Sequence, residues 1–101
     1  MRPAFRTFDD LGALDERGLQ ELLRAVEHDP LAMALSGASA GLRERMLANM
    51  SARAATELRA AIEEIGAAHC RDVDSAQAVI LARATQMVEI GLVALPLANA
   101  E

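Results

Sequence analysis

The chain has 101 residues, 52% of them hydrophobic, and a formal net charge of −5. That length supports one core and not two, and that apolar content excludes an intrinsically disordered chain. The acidic balance argues against a nucleic-acid binder, which needs a positive field toward phosphates, and against docking on an anionic membrane surface.

The apolar residues are mostly Ala, Leu, Val, Ile and Met, and the only aromatic residues are Phe5 and Phe8. Such a set favours helices packed closely through small side chains, with little β-rich sequence to compete. The expectation is all-α: a compact bundle of about five to six short helices joined by short loops. No apolar run approaches the ~20 residues of a membrane span, so no direct membrane insertion is expected. Met1 to Phe8 lacks the apolar stretch of a signal peptide. The single Cys70 has no internal disulfide partner, which fits a reducing compartment.

In chain order, Asp9-Asp10 marks a first helix start. Asp15 then reads as an N-cap, with Leu14 and Leu19 placed as a hydrophobic staple. The helix that follows carries Leu19, Leu22, Leu23 and Val26 on one side and is expected to end near His28. There a positive charge would complement the helix dipole. Asp29-Pro30 restarts the chain, with Asp as cap and Pro at the first helical position. This brief helix holds Leu31, Ala34 and Leu35 and closes at Ser36-Gly37.

Ser39 caps a third helix with Leu42, Met46, Leu47 and Met50 facing inward. Ser51 caps a fourth, in which Ala54, Ala55, Leu58, Ala61, Ile62 and Ile65 recur at the spacing of one buried face. Gly66 supplies its stop. A longer fifth helix is expected to start after Asp72 and run to Gly91 through Val73, Ala76, Ile80, Ala84, Met87 and Val88. The methionines at 33, 46, 50 and 87 follow helical spacing and read as core filler. Leu92 to Leu97 forms an apolar tail that packs on its own bundle or on a neighbour.

No Gly-rich phosphate loop, paired CxxC, HExxH or nucleophile elbow occurs. His69-Cys70 has no second pair to complete a four-ligand metal set, and it reads as a loop His beside a partly buried Cys. The acid pairs Asp9-Asp10 and Asp72-Asp74 are accounted for by capping and dipole complementation at helix starts. The pattern predicts neither catalysis nor a cofactor or metal.

Five stretches carry a resemblance: FDDL (Phe8 to Leu11), LDER (Leu14 to Arg17), ALSGA (Ala34 to Ala38), NMSARAA (Asn49 to Ala55) and DVDSAQ (Asp72 to Gln77). In order and spacing, across about residues 5 to 95, they resemble the C-terminal domain of the bacterial flagellar motor switch protein family FliG. The resemblance implies a non-catalytic, cofactor-free domain of six helices on the cytoplasmic rotor, peripheral at the inner-membrane face of the flagellar basal body. Its partners would be the cytoplasmic loop of a MotA-type stator and other rotor or switch proteins. A ridge of charged side chains would pass torque and accompany reversal of rotation. On this basis residues 1–8 form a hinge-like lead segment, 9–95 the helical domain and 96–101 a tail.

The ridge positions carry over unevenly. The basic residue expected before Gly37 is Ser36, and Arg53 retains the arginine of NMSARAA. The acidic pair expected seven and eight residues later falls on Ala60 and Ala61, and a further basic position falls on His69. Glu57 and Glu64 lie along the same stripe as Arg53, with Glu63 nearby, as displaced acids. Arg53 and Glu57 also form an i,i+4 pair, which could simply support the helix by ~0.2–0.5 kcal/mol. The face is therefore either a solvated surface or a contact surface. Phe5-Arg6-Thr7-Phe8 replaces the family's Met-Phe-x-Phe hinge, and Arg6 is expected to weaken its packing. These residues hold none of the family's preceding domains, which fits either an excised domain or a stand-alone adaptor that has lost stator contact.

Overall fold

Six helices follow one another along the described residues, 5–66 and 70–92 of the computed structural model. A 3-10 helix over Phe8–Ala13 leads into α1 (Glu16–Ala25), α2 (His28–Ser36), α3 (Ala40–Ala48), α4 (Ala52–Ile65) and α5 (Cys70–Glu89). No strand occurs among the described residues, so the fold is the all-α bundle that composition implied.

The helix starts are set by short polar side chains that accept from otherwise unpaired backbone donors. The Asp10 carboxylate accepts from the backbone N–H of Arg6 at 2.8 Å and of Thr7 at 3.0 Å. These bonds, chiefly the one from Thr7, hold its carboxyl below the ordinary value of 3.8. Asp15 accepts from Gly18 N at 2.7 Å, Ser39 from Leu42 N at 3.2 Å and Ser51 from Ala54 N at 3.1 Å. Leu14 and Leu19 are both buried, as the staple requires.

Two boundaries differ from expectation. α1 stops at Ala25, and α2 begins at His28 with Glu27 as its N-cap, so Asp29 is not the cap and Pro30 is the third helical residue. The first-turn N–H groups have no intrahelical acceptor, so the missing proline donor costs no intrahelical bond at the third position either. The first intrahelical bond runs from Leu31 N to Glu27 O at 3.2 Å. His28 therefore stands at the positive end of a helix dipole, where a charge would be opposed rather than complemented. Its neighbour is the Asp29 carboxylate at 3.6 Å. α5 begins at Cys70, ahead of Asp72, which lies in the first turn, and it ends at Glu89 rather than Gly91.

The core is built around α2. Leu31, Ala32, Ala34 and Leu35 are all buried there, with Leu58 of α4 and Ile80, Ala84 and Met87 of α5. Leu19 and Leu22 of α1 and Leu42, Met46 and Leu47 of α3 complete it. Met33 and Met50 are only partly buried, so two of the four methionines lie at the margin of the core.

Polar ties lock the helices together at their ends. Gln77 Nε2 donates to Ala34 O at 3.0 Å, joining α5 to α2. Beside it, a Cβ on Gly37 would stand 2.5 Å from Val73 Cγ1, so glycine is what lets α5 approach the end of α2. The Arg45 guanidinium donates to the carbonyls of Gly12 and Leu14, and Asp9 accepts from Ser39 N at 3.2 Å. Phe5 and Phe8 are buried in the same core while Arg6 is exposed. The Arg6 side chain lies outside the apolar packing, which Phe5 and Phe8 make.

Candidate functional site

α4 is the helix that presents charge. Ser51 fixes its start, and at its end Gly66 adopts φ +59, with its N–H on Ile62 O at 3.3 Å. A positive φ is the conformation that a residue with Cβ resists, so glycine supplies the stop. Only Leu58 is fully buried; Ala54, Ala55, Ala61, Ile62 and Ile65 are partly buried. The predicted apolar face is thus real but shallow, and α4 lies on the outside of the bundle.

Opposite that face, Arg53, Glu57, Ala60 and Glu64 follow one another at helical spacing, and all four are exposed. The Arg53 side chain is 90% exposed, with Nε 3.5 Å from Glu57 Oε2. Between solvated groups such a pair is worth little, ~0.2–0.5 kcal/mol, so Arg53 can exchange it for another anion at small cost.

A second ion pair, also exposed, ties α4 to its neighbour. Arg59 donates to both Glu44 oxygens, at 2.8 and 3.0 Å, joining α4 to α3. The hydrogen bond from Arg59 holds the Glu44 carboxyl below its ordinary 4.5, and the same contact keeps Arg59 the more firmly protonated. Sequence reasoning did not find this clamp. Its partners lie 15 residues apart on different helices, a separation with no periodic signature.

The remaining site residues separate. Ala60 is exposed, whereas Ala61 turns toward α2 and packs against the core. Ala61 and Glu64 line a shallow groove of about 380 Å3 with Ile65 of α4 and with Asp29, Ala32 and Met33 of α2. Ser36 closes α2, where its hydroxyl donates to Met33 O at 2.6 Å and is occupied within its own helix. His69 lies outside the described residues, as do the neighbouring Cys70 side chain and the tail beyond Leu92. The structure therefore gathers Arg53, Glu57, Ala60 and Glu64 on one stripe and pairs Ala61 with Glu64 in the groove.

Among the described residues no polar or charged side chain is buried, and no three His, Cys, Asp or Glu residues converge to hold a metal ion. No described helix is long and apolar enough to cross a membrane. What this surface offers is exposed charge beside an apolar groove.

Residues 1–95 match the model of the FliG C-terminal domain. The flagellar motor switch protein FliG of Pseudomonas aeruginosa is 44% identical over 84 residues, covering 83% of this chain and 25% of that protein. The Thermotoga maritima protein of the same name is 40% identical with the same coverage. Among solved structures, Helicobacter pylori FliG residues 116–343 superpose with a TM-score of 0.85 at 31% identity, covering 88% of this chain and 39% of that one. Full-length FliG from Aquifex aeolicus gives 0.81 at 30% identity, covering 85% of this chain and 27% of that one. The chain spans about a quarter of the length of the whole FliG proteins it matches. It belongs to the FliG C-terminal domain family of flagellar motor switch proteins.

Proposed function

We propose that this domain is a non-catalytic interaction module of the flagellar rotor, and that the exposed stripe of α4 is the face that meets a MotA-type stator loop. Contacts there would transmit torque and take part in reversal of rotation, with other rotor and switch proteins holding the domain at the cytoplasmic side of the inner membrane. The observation that carries this reading is Arg53, largely solvated on a helix whose other side is held to the bundle by Leu58 and the partly buried Ala61, Ile62 and Ile65. A charge so placed is free to pair outward while its backbone stays put. Exposed ion pairs are individually weak, about 0–1 kcal/mol, and suit contacts that form and break repeatedly. Their fields also favour fast encounter.

The test is charge reversal. Arg53→Glu is expected to weaken binding to a stator cytoplasmic loop and to impair motility when placed in a full-length rotor protein. Unchanged binding and motility after combined reversal of Arg53, Glu57 and Glu64 would contradict the assignment.

Ala60 and Ala61 favour a second reading, because they stand where the family resemblance puts acids. On that reading the domain is a helical adaptor that has left the stator for another protein. Affinity capture from the native cell that recovers no motor component would support it.

A further inference from the structure

The groove between α2 and α4 differs from the rest of this face. Its floor is apolar: Ala32 is buried, and Met33, Ala61 and Ile65 are half-buried. At its edge stand two exposed carboxylates, Asp29 from α2 and Glu64 from α4, and no basic residue lines it. Glu64 has no ion pair among the described residues, and Asp29 has only the adjacent His28 imidazole at 3.6 Å. An apolar trough with acid on both banks and an adaptable thioether in its wall has the features of a helix-in-groove site.

We infer that this groove seats a basic amphipathic helix of a partner protein, with an apolar side chain between Met33 and Ile65 and Lys or Arg reaching Asp29 and Glu64. The inference rests on reading this face as an interaction surface and adds the chemistry of the partner. An acidic helix would meet two exposed carboxylates. A purely polar segment would leave the apolar floor wet. Arg53 lies outside the groove, so its effect can be read apart from the groove's, whereas Glu64 belongs to both surfaces.

The test uses a designed Leu–Lys amphipathic helix as probe, beside a Leu–Glu counterpart and a Leu–Lys sequence scrambled to remove its apolar face. In an NMR titration the Leu–Lys helix is expected to shift Ala32, Met33, Ala61 and Ile65, and the other two peptides are not. Combined Asp29→Lys and Glu64→Lys, both at exposed positions, should weaken the probe about tenfold without altering the helical circular dichroism. Ala61→Gln, which fills the trough, should weaken it through shape alone. Arg53→Glu should not weaken it. Equal binding of the Leu–Glu or the scrambled peptide, shifts elsewhere on the molecule, or indifference to Asp29→Lys/Glu64→Lys would each overturn the proposal. Loss of the groove result with an intact Arg53 effect on stator-loop binding would sink the groove alone, and the converse would sink the stator reading alone.

Discussion

α2 and α4 lie against each other and differ in what surrounds them. Within α2, Leu31, Ala32, Ala34 and Leu35 are buried; within the longer α4 only Leu58 is. α2 is enclosed by α4 on one side and α5 on another, so its sequence is committed to packing. α4 touches the bundle along one shallow line, with the exposed Arg59–Glu44 pair at its side. The inner helix holds position, and the outer one has a whole stripe free to meet something else.

The sharpest way to break this contrast is to hollow the inner helix. Leu35→Ala removes a side chain with no solvent exposure and should cost about 2–5 kcal/mol in chemical denaturation. The face of α4 would be lost only because the bundle is lost. Gly37→Ala comes next, at about 1–3 kcal/mol, because the added Cβ would overlap Val73 Cγ1. Val73→Ala in the same chain should restore most of that loss, and additivity in the double mutant would contradict the close approach. On the outer helix, Ser51→Ala strips the acceptor from Ala54 N and should cost about 1 kcal/mol, read as a lower melting temperature.

The smallest effect is a pH dependence. Asp10 and Glu44 titrate below their ordinary values of 3.8 and 4.5 when folded. A carboxyl that releases its proton more readily in the folded state stabilises the fold above the unfolded value and loses that contribution as pH falls through the folded one. Melting temperature should therefore decline as pH drops below about 4.5 and further below 3.8. Asp10→Asn should flatten the lower part of that decline, since an amide accepts from Arg6 and Thr7 without titrating.

What the sequence made legible was local. Asp15, Ser39 and Ser51 were readable as caps because a cap acts within three residues of itself. Asp29-Pro30 misled for a local reason too: proline is compatible with more than one first-turn position, so the dipeptide marks a helix start without fixing it. The three-and-four spacing in α4 identified which side faces the bundle but not how deeply it sinks. That depth is set by α2 and α3. The ties from Gln77 to Ala34, from Arg45 to Gly12 and Leu14, and from Arg59 to Glu44 span 43, 33, 31 and 15 residues. Nothing in the spacing of those residues announces them. The groove was hidden for the same reason: Ala61 read both as part of the apolar face and as a departure from an expected acid, and its role as floor emerges once Met33 and Ala32 stand opposite.

The stripe of α4 is either a contact surface or only a solvated one. The most direct measurement is an NMR titration of this domain with a MotA-type cytoplasmic loop, repeated on the Arg53→Glu variant. A contact surface gives shifts along Arg53, Glu57, Ala60 and Glu64, and a clear loss of affinity in the variant while its fold is unchanged. Shifts confined to α1 or α5, or equal affinity of the variant and the wild type, would contradict it.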